Sequence, residues 1–274
     1  MPAIILDGKS EAQKIRAALK EEIATLGLKP VLAVFLVGKD PASVLYVSLK
    51  EKAATEAGIK VLRHDLRSTT TEEELIGQIK NMNNDAAVNA ILVQLPLPEQ
   101  INPNLIINAI DPEKDVDGFH PKNMTGILSP GIAGPLALLK KTHLELAGKH
   151  AVVVGNSAVF TQSFCDALRG WHLNAEPTFP ENIELIKKAD ILISAVGRPH
   201  FIKKDMINPG AIVIDIGTSK LGDITVGDVD PEASAAASYL TPVPGGVGPM
   251  TVAMLLKNAV ELFKRQNQKP EIKK

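Results

Sequence analysis

The sequence predicts an α/β protein with two domains, each built on a parallel sheet. Apolar runs typical of strands buried on both faces alternate with amphipathic segments typical of helices. Repeated βαβ units of this kind imply parallel pairing and right-handed crossovers. The chain has 274 residues, enough for two domains, and a Gly/Pro-rich stretch at 125–135 separates two sets of units.

The first set of elements lies in the N-terminal half. A helix is expected from Ser10 to Leu26, with Ser10 as its possible N-cap, followed by a buried strand at Val31–Val37. A second helix begins near Pro41 and stops near Gly58. The remaining expected elements are a strand at 60–65, a helix at 71–81 and a strand at 90–94.

The second set begins with an apolar strand at 150–154, which runs into Gly155 and a helix from about Val159. Two further apolar strands are expected at 191–195 and 211–216. A stiff loop rich in proline and glycine at 241–249 precedes a closing helix at 251–266.

Composition argues against several classes of protein. Thirty-one acidic residues nearly balance thirty basic ones, and no basic stripe suggests nucleic-acid binding. The N-terminus lacks the basic region of a signal peptide, and no apolar run approaches the roughly 18 residues of a membrane span. The single cysteine, Cys165, excludes an intramolecular disulfide and is expected in the core. A reducing cytoplasm is the expected location.

Ser43, Tyr46 and Lys50 share one face of the second helix, because residues three or four apart are neighbours on a helix. A hydroxyl, a phenol and an amine so placed can bind a polar substrate and move a proton. Gln94 ends a very apolar strand, where a polar side chain needs a partner. Asp115 and Asp117 could be read as a metal pair, but no further acidic cluster follows and the histidines show no ligand spacing, so no metal is predicted.

A Tyr-x-x-x-Lys pair also occurs in short-chain dehydrogenases, where it follows the nucleotide-binding unit. In this chain Tyr46 and Lys50 precede the only plausible dinucleotide strand, at 150–154, and Ser43 is only three residues from Tyr46. That family is therefore a poor match.

Four segments in order resemble the methylenetetrahydrofolate dehydrogenase/methenyltetrahydrofolate cyclohydrolase family. They are Ala-Ser-Val-Leu-Tyr-Val-Ser-Leu-Lys at 42–50, Ile-Leu-Val-Gln-Leu-Pro-Leu-Pro at 91–98, Lys-Asp-Val-Asp-Gly-Phe-His-Pro at 114–121 and Thr-Pro-Val-Pro-Gly-Gly-Val-Gly-Pro-Met-Thr at 241–251. The resemblance implies a folate-binding catalytic domain (1–120 and 252–274) and a Rossmann-like nucleotide-binding domain (121–251). The C-terminal helix would return to the first domain.

The resemblance also implies roles for residues. Lys50 matches the catalytic lysine and Gln94 the glutamine beside it, while Tyr46 matches the aromatic residue that packs on the folate and Asp117 the aspartate that reads the pterin edge. These four form the expected catalytic set. The expected substrate-binding residues are Ser43, Tyr46, Asp117, Pro244, Gly245 and Gly246, and the expected cofactor-binding residues are Gly155, Asn156, Ser157, Gly197 and Thr218.

The nucleotide loop departs from the family pattern Gly-Arg-Ser-x-x-Val-Gly-x-Pro. Here the segment from Gly155 reads Gly-Asn-Ser-Ala-Val-Phe-Thr-Gln-Ser, so Asn156 replaces the arginine and Thr161 the second glycine. Losing the arginine removes a fork suited to phosphate, and a threonine is expected to add a side chain in the ligand's path.

Three hypotheses remain open. The first is a bifunctional enzyme that oxidises 5,10-methylenetetrahydrofolate with NADP and hydrolyses the 5,10-methenyl product to 10-formyltetrahydrofolate. The second is a cyclohydrolase whose dehydrogenase activity is weak, lost or shifted to NAD, and the third is a non-catalytic folate-binding protein. The retention of Tyr46, Lys50, Gln94 and Asp117 together argues against the third. The resemblance further implies a homodimer joined through the nucleotide domain, with tetrahydrofolate derivatives as ligands.

Overall fold

The computed structural model describes residues 2–123 and 125–268. In this part of the chain the α-helices are α1 (Gly8–Thr25), α2 (Pro41–Ala57), α3 (Glu72–Asn84), α4 (Pro103–Ala109), α5 (Pro130–Lys140), α6 (Ala158–Arg169), α7 (Ile183–Ile186) and α8 (Val247–Gln268). The strands are β1 (Ile4–Ile5), β2 (Val31–Val37), β3 (Lys60–Leu66), β4 (Ala90–Val93), β5 (His150–Gly155), β6 (Asn174–Thr178), β7 (Ile191–Ala195), β8 (Ile212–Asp215), β9 (Ser219–Leu221), β10 (Ile224–Val226) and β11 (Tyr239–Leu240).

The chain forms two compact units. The three-stranded unit consists of Gln13–Pro130 and the chain from Val252 onward, and its parallel sheet has the order β3-β2-β4. The six-stranded unit consists of Met1–Ala12 and Gly131–Thr251, and its parallel sheet has the order β1-β11-β8-β7-β5-β6. The predicted α/β class with parallel sheets is confirmed.

Local signals fix the helices of the three-stranded unit. Asp40 caps α2 by accepting from the amide of Ser43, and Gly58 ends it in the left-handed conformation at φ 94°. Thr71 and Glu74 form a reciprocal capping box at the start of α3. The apolar β2 is buried along its whole length because it is the central strand.

The C-terminal helix returns to the three-stranded unit, as the sequence predicts. Leu255, Leu256 and Ala259 of α8 are buried in one core cluster with Leu32 and Val34 of β2. Asn258, on the same helix, donates through Nδ2 to the backbone oxygen of Val116 at 3.0 Å. Asn258 therefore ties α8 to the backbone next to Asp117.

Two segments differ from expectation. Residues 1–12 belong to the six-stranded unit, because β1 pairs with β11 and extends that sheet. A helix, α5, occupies Pro130–Lys140, within and beyond the stretch that separated the two sets in the sequence. Pro130 suits the first turn of a helix, and Pro135 is accommodated inside it at the loss of one backbone donor.

The predicted core cysteine is buried, and burial raises the pKa of the Cys165 thiol to about 11. A thiol so protected is a poor nucleophile, in agreement with a structural role. Across residues 2–123 and 125–268, no helix is both long and apolar enough to cross a membrane.

A buried lysine fastens the segment that leads to Asp117. Lys114 Nζ donates to the carbonyl oxygens of Met82, Asn83 and Asp85 at 3.0, 2.7 and 2.8 Å and so caps the C-terminus of α3. Burial lowers the pKa of Lys114, and the charges of Asp111 and Asp85 oppose that shift. The sequence alone did not single out Lys114.

Replacing Lys114 with methionine is expected to lower the free energy of unfolding by about 2–3 kcal/mol, because three carbonyl groups lose their charged donor. Urea denaturation measures the change. Lys80→Met is the control, since Lys80 is an exposed lysine of α3. Equal stability of K114M and K80M would contradict the capping role.

Candidate active site

Lys50 and Gln94 are brought together at the carboxyl end of β4. Lys50 lies on α2, and its Nζ donates to Oε1 of Gln94 at 2.9 Å. The Nε2 of Gln94 donates to the backbone oxygen of Leu95, which leaves Oε1 facing the amine. The polar partner that the apolar strand predicted for Gln94 is therefore Lys50.

The environment of Lys50 makes its amine easier to deprotonate than a solvated lysine. Burial lowers the pKa of the Lys50 amine, and the charge of Asp117 opposes this effect. The carbonyl of Gln94 can accept an N–H bond from either the charged or the neutral amine. The site thus positions an amine whose proton is more easily released than that of a solvated lysine.

Asp117 sits on a loop shaped by its neighbours. The carboxylate of Asp115 accepts from the amides of Asp117 at 3.1 Å and His120 at 2.7 Å. Gly118 adopts φ 67°, and a Cβ there would stand 2.7 Å from the backbone oxygen of Ile127. Asp115 therefore folds the loop, and the close approach of Ile127 requires a glycine next to Asp117.

The carboxyl group of Asp117 has a strongly shifted acidity. Burial raises the pKa of Asp117 to about 6, while the charge of Lys50 lowers it and that of Asp115 raises it. Asp117 and Lys50 thus influence each other's ionisation, and the structure brings Lys50, Gln94 and Asp117 into one electrostatic site.

Ser43 and Tyr46 differ in their surroundings although they share a helix face. Ser43 is buried, and its backbone amide and side chain both bond the Asp40 carboxylate, which keeps the pKa of Asp40 below its ordinary value. Ser43 therefore serves the helix cap, and its part in substrate binding stays a prediction. Tyr46 is 42% exposed, one turn before Lys50, so its ring is available to a ligand.

The predicted cofactor residues begin where β5 ends. Gly155 closes the strand, and a Cβ there would stand 3.1 Å from both the Ala195 oxygen and Cγ2 of Thr161. Ser157 caps α6 by accepting from the amide of Phe160 at 3.3 Å. Asn156 donates through Nδ2 to the Val196 oxygen at 2.6 Å, which joins the turn to the loop after β7.

Thr161 borders the cavity beside α6, and the expectation that its side chain lies in the ligand's path stays a prediction. Thr161 is 3% exposed and lies on the inner face of α6, where its methyl group packs against Gly155 and its hydroxyl donates to the Ala158 oxygen at 3.2 Å. The residue lies one turn into α6, and the helical period turns its side chain toward the sheet.

Gly197 and Thr218 lie in the loops that follow β7 and β8. Gly197 adopts φ 70° with open space around it, and Ser219 Oγ donates to its carbonyl oxygen at 3.3 Å. Thr218 is exposed in the second loop. Both predicted residues thus lie at the carboxyl edge of the sheet, where open α/β sheets bind ligands.

A buried aspartate, Asp228, organises the first of these loops. The carboxylate of Asp228 accepts from Ser194 Oγ at 2.8 Å and from the amides of Val196 at 2.7 Å and Arg198 at 3.0 Å. Asp228 is fully buried, so these bonds fix the backbone on both sides of Gly197.

A second buried aspartate, Asp215, supports Asp228 from the end of β8. Its carboxylate accepts from the amides of Gly217, Asp228 and Val229, at 2.9, 3.1 and 2.8 Å. Burial raises the pKa of Asp215 to about 7, although the amide bonds from Val229, Asp228 and Gly217 pull it down. The signal in the sequence is an acidic residue embedded among apolar and glycine positions in each segment.

Gly217→Ala is expected to destabilise the six-stranded unit, because the added Cβ would stand 2.2 Å from the buried Asp228 carboxylate. Overpacking costs about 1–3 kcal/mol, so the unfolding temperature should fall. Gly77→Ala is the control, since a Cβ at Gly77 in α3 meets nothing within 4 Å. A G217A protein with the same unfolding temperature as the wild type would contradict this packing.

The loop that precedes α8 is closely packed by its own glycines. Gly245 adopts φ 107°, and a Cβ on Gly246 would stand 2.5 Å from the Pro242 oxygen. The Gly245 oxygen accepts from the Lys9 amide at 2.7 Å. The packing of the loop therefore requires glycine at these two positions. The predicted role of Pro244, Gly245 and Gly246 in substrate binding stays a prediction.

The six-stranded unit has the features that accommodate a dinucleotide. Its strand β5 ends in a glycine turn that leads into the N-terminus of α6, where amide groups favour phosphate. A cavity of about 630 Å³ lies between that end of α6 and β6, lined by residues such as Val159, Gln162 and Phe179. An NAD(P) nucleotide therefore fits the residues present.

The fold and the site define a two-unit α/β enzyme with a dinucleotide-binding sheet and a separate lysine-centred site. Family models match both parts: the tetrahydrofolate dehydrogenase/cyclohydrolase catalytic domain matches residues 6–117, and the corresponding NAD(P)-binding domain matches residues 130–267. The chain belongs to the tetrahydrofolate dehydrogenase/cyclohydrolase family.

Relatives match over nearly the whole chain. The bifunctional protein FolD of Campylobacter concisus is 45% identical, over 93% of this chain and 96% of the relative. That of Geotalea daltonii is 46% identical, over 96% of this chain and all of the relative. The crystal structure of the bifunctional enzyme FolD from Campylobacter jejuni is 40% identical with a TM-score of 0.93, covering 96% of this chain and 99% of that one.

A further structure is of methylenetetrahydrofolate dehydrogenase-cyclohydrolase from Trypanosoma brucei, complexed with NADP and an inhibitor. It is 32% identical with a TM-score of 0.93, covering 98% of this chain and 99% of that one. The predicted family and fold are confirmed.

Proposed function

We propose that this protein catalyses two consecutive one-carbon reactions on folate. It oxidises 5,10-methylenetetrahydrofolate to the 5,10-methenyl form with NADP, and it hydrolyses that product to 10-formyltetrahydrofolate. The observation that carries the proposal is the Lys50–Gln94 hydrogen bond of 2.9 Å in a chain that has both family domains. The NADP complex of the Trypanosoma brucei relative supports the choice of nucleotide.

Lys50 serves the hydrolytic step as the proton-transfer group. Attack of water on the methenyl carbon requires a proton to leave the water, and ring opening requires one at the departing nitrogen. Because burial lowers the pKa of Lys50, its amine releases and accepts that proton more readily than a solvated lysine does. The same group, when charged, stabilises negative charge that develops on the attacking oxygen.

Gln94 orients the Lys50 amine without favouring its charged form. A carboxylate in this position would hold a charged lysine and raise its pKa, whereas an amide binds both protonation states. The fixed orientation of the Gln94 amide therefore allows Lys50 to exchange protons while it stays in place.

Asp117 and Tyr46 bind and orient the folate. A carboxylate accepts two N–H bonds from an aminopyrimidine edge, and such charge-assisted bonds are directional. The exposed ring of Tyr46 offers a surface for the aminobenzoyl ring. With the pterin on Asp117, the reactive carbon is held near the amine that Asp117 influences electrostatically.

In the six-stranded unit, the residues that would hold the nucleotide are Gly155, Asn156, Ser157, Gly197 and Thr218. Bound NADP supplies the acceptor for the hydride of the methylene carbon. The side chains of this unit contribute binding and orientation, and Pro244, Gly245 and Gly246 present main chain to the flat ligands.

A second candidate is a cyclohydrolase with weak or NAD-shifted dehydrogenase activity. It is favoured by one observation: Asn156 is neutral, and its amide is already bonded to the Val196 oxygen. Hydrolysis needs the folate residues but no nucleotide. We also propose that the protein forms a homodimer and is located in the cytoplasm.

The test uses purified full-length protein. Oxidation of methylenetetrahydrofolate is measured with NADP and with NAD in separate reactions, and hydrolysis of methenyltetrahydrofolate is measured without nucleotide. The proposal predicts hydrolysis together with oxidation that is faster with NADP. Hydrolysis without NADP-linked oxidation would select the second candidate, and the absence of both activities would refute both.

A further inference from the structure

An ion pair joins the two loops on either side of the nucleotide turn. In the six-stranded sheet β5 lies between β6 and β7. Glu181 follows β6 and Arg198 follows β7, and Nη2 of Arg198 lies 3.3 Å from Oε1 of Glu181. The pair thus connects the loops that flank Gly155, at the edge where a dinucleotide binds.

Arg198 is held in place by contacts independent of Glu181. Its amide donates to the buried Asp228 carboxylate at 3.0 Å. Its guanidinium carbon lies 5.5 Å from the centroid of the Phe201 ring, within the range of a cation–π contact. The guanidinium is therefore positioned before any ligand arrives, which lowers the cost of binding.

The Arg198–Glu181 contact itself is easily exchanged. The side chains are 51% and 72% exposed, and ion pairs between such groups contribute little to stability. The neighbouring cavity of about 630 Å³ is lined by uncharged side chains, including Val159, Gln162, Ser163 and Phe179. Glu181 follows Phe179, a lining residue of that cavity, by two positions, and Arg198 pairs with Glu181.

The chemistry of the two side chains points to the ribose of the adenosine half. Sites for NAD use a carboxylate after the second strand to bind the free ribose hydroxyl, whereas sites for NADP use an arginine to bind the 2′-phosphate. A guanidinium fork matches a phosphate in two parallel hydrogen bonds. Here both groups face one another at the same edge.

We infer that Arg198 and Glu181 together set the choice between the two nucleotides. Arg198 binds the 2′-phosphate of NADP, and Glu181 binds the 2′-hydroxyl of NAD while opposing the phosphate. The inference rests on the proposed dehydrogenase function and assigns the specificity of its nucleotide site to these two residues.

Calorimetric titration of the full-length protein with NADP and with NAD tests the inference. Arg198→Gln is expected to raise the Kd for NADP about 10- to 30-fold, because a charge-assisted contact is lost. The Kd for NAD should change less than about twofold. Glu181→Gln is expected to lower the Kd for NADP and to raise the Kd for NAD, each about threefold. Arg198→Lys, which keeps the charge without the fork, should fall between the wild type and R198Q.

Arg169→Gln is the matched control, because Arg169 is another exposed arginine of the same unit that pairs with a carboxylate, Asp166. It should leave both dissociation constants unchanged. An unchanged ratio of the NADP and NAD constants in R198Q would overturn the inference alone. A wild-type protein that binds neither nucleotide would overturn it together with the dehydrogenase half of the proposed function.

Discussion

Lys50→Ala is expected to reduce hydrolysis about 10³-fold, the middle of the range for a positioned proton-transfer group, and to reduce oxidation as well, because both reactions use the folate bound beside this amine. The loss should appear in kcat, because the amine acts on the reacting atoms. The fold should survive, since the pKa of Lys50 is lowered by burial and its charge therefore does not contribute to stability. Initial rates of both reactions, with circular dichroism of the variant, measure these outcomes.

Two variants make this result specific. Lys52→Ala removes an exposed lysine of the same helix and should retain full activity. Gln94→Leu removes the acceptor of the Lys50 hydrogen bond and should lower kcat while Lys50 remains. A fully active K50A protein would exclude Lys50 from the mechanism.

Asp117→Asn is expected to raise the KM for the folate substrate about 10- to 100-fold, because one acceptor of a charge-assisted pair of bonds becomes a donor. The variant should be at least as stable as the wild type at neutral pH. The folded-state pKa of about 6 lies above the ordinary 3.8. The charged carboxylate therefore lowers the stability of the protein at neutral pH, and this cost is lost as the pH falls from about 6 to 3.8.

The same pKa predicts a pH dependence of folate binding. Below about pH 6 Asp117 becomes protonated and loses one of its two acceptor oxygens, so the wild-type KM should rise as the pH falls from 7 to 5. In D117N this rise should be absent. A wild-type KM that is flat across this interval, or a D117N protein with an unchanged KM, would remove Asp117 from substrate binding.

Much of the fold could be predicted because local signals and burial agree. The apolar segment of β2 predicted a strand with the bounds that the structure shows, since a strand buried on both faces needs no polar residue. The proximity of Lys50 and Gln94 could be anticipated only in part. A polar residue at the end of an apolar strand needs a hydrogen-bond partner, but the identity of that partner depends on how α2 packs on the sheet.

Other features depend on tertiary contacts that leave little trace in the sequence. The inward orientation of Thr161 follows from the start of α6 at Ala158, and a shift of one residue would turn the side chain by about 100°. The roles of Asp215 and Asp228 depend on hydrogen bonds between segments distant in sequence. The joining of β1 to β11 likewise involves only two residues of each strand.

The most direct test of the central claim is the hydrolysis of methenyltetrahydrofolate by wild-type protein and by K50A, with no nucleotide present. We expect the wild-type protein to accelerate hydrolysis over the buffer rate and K50A to lose that acceleration while remaining folded. Equal rates for wild type and K50A, or a wild-type rate equal to that of buffer, would contradict a folate site centred on Lys50.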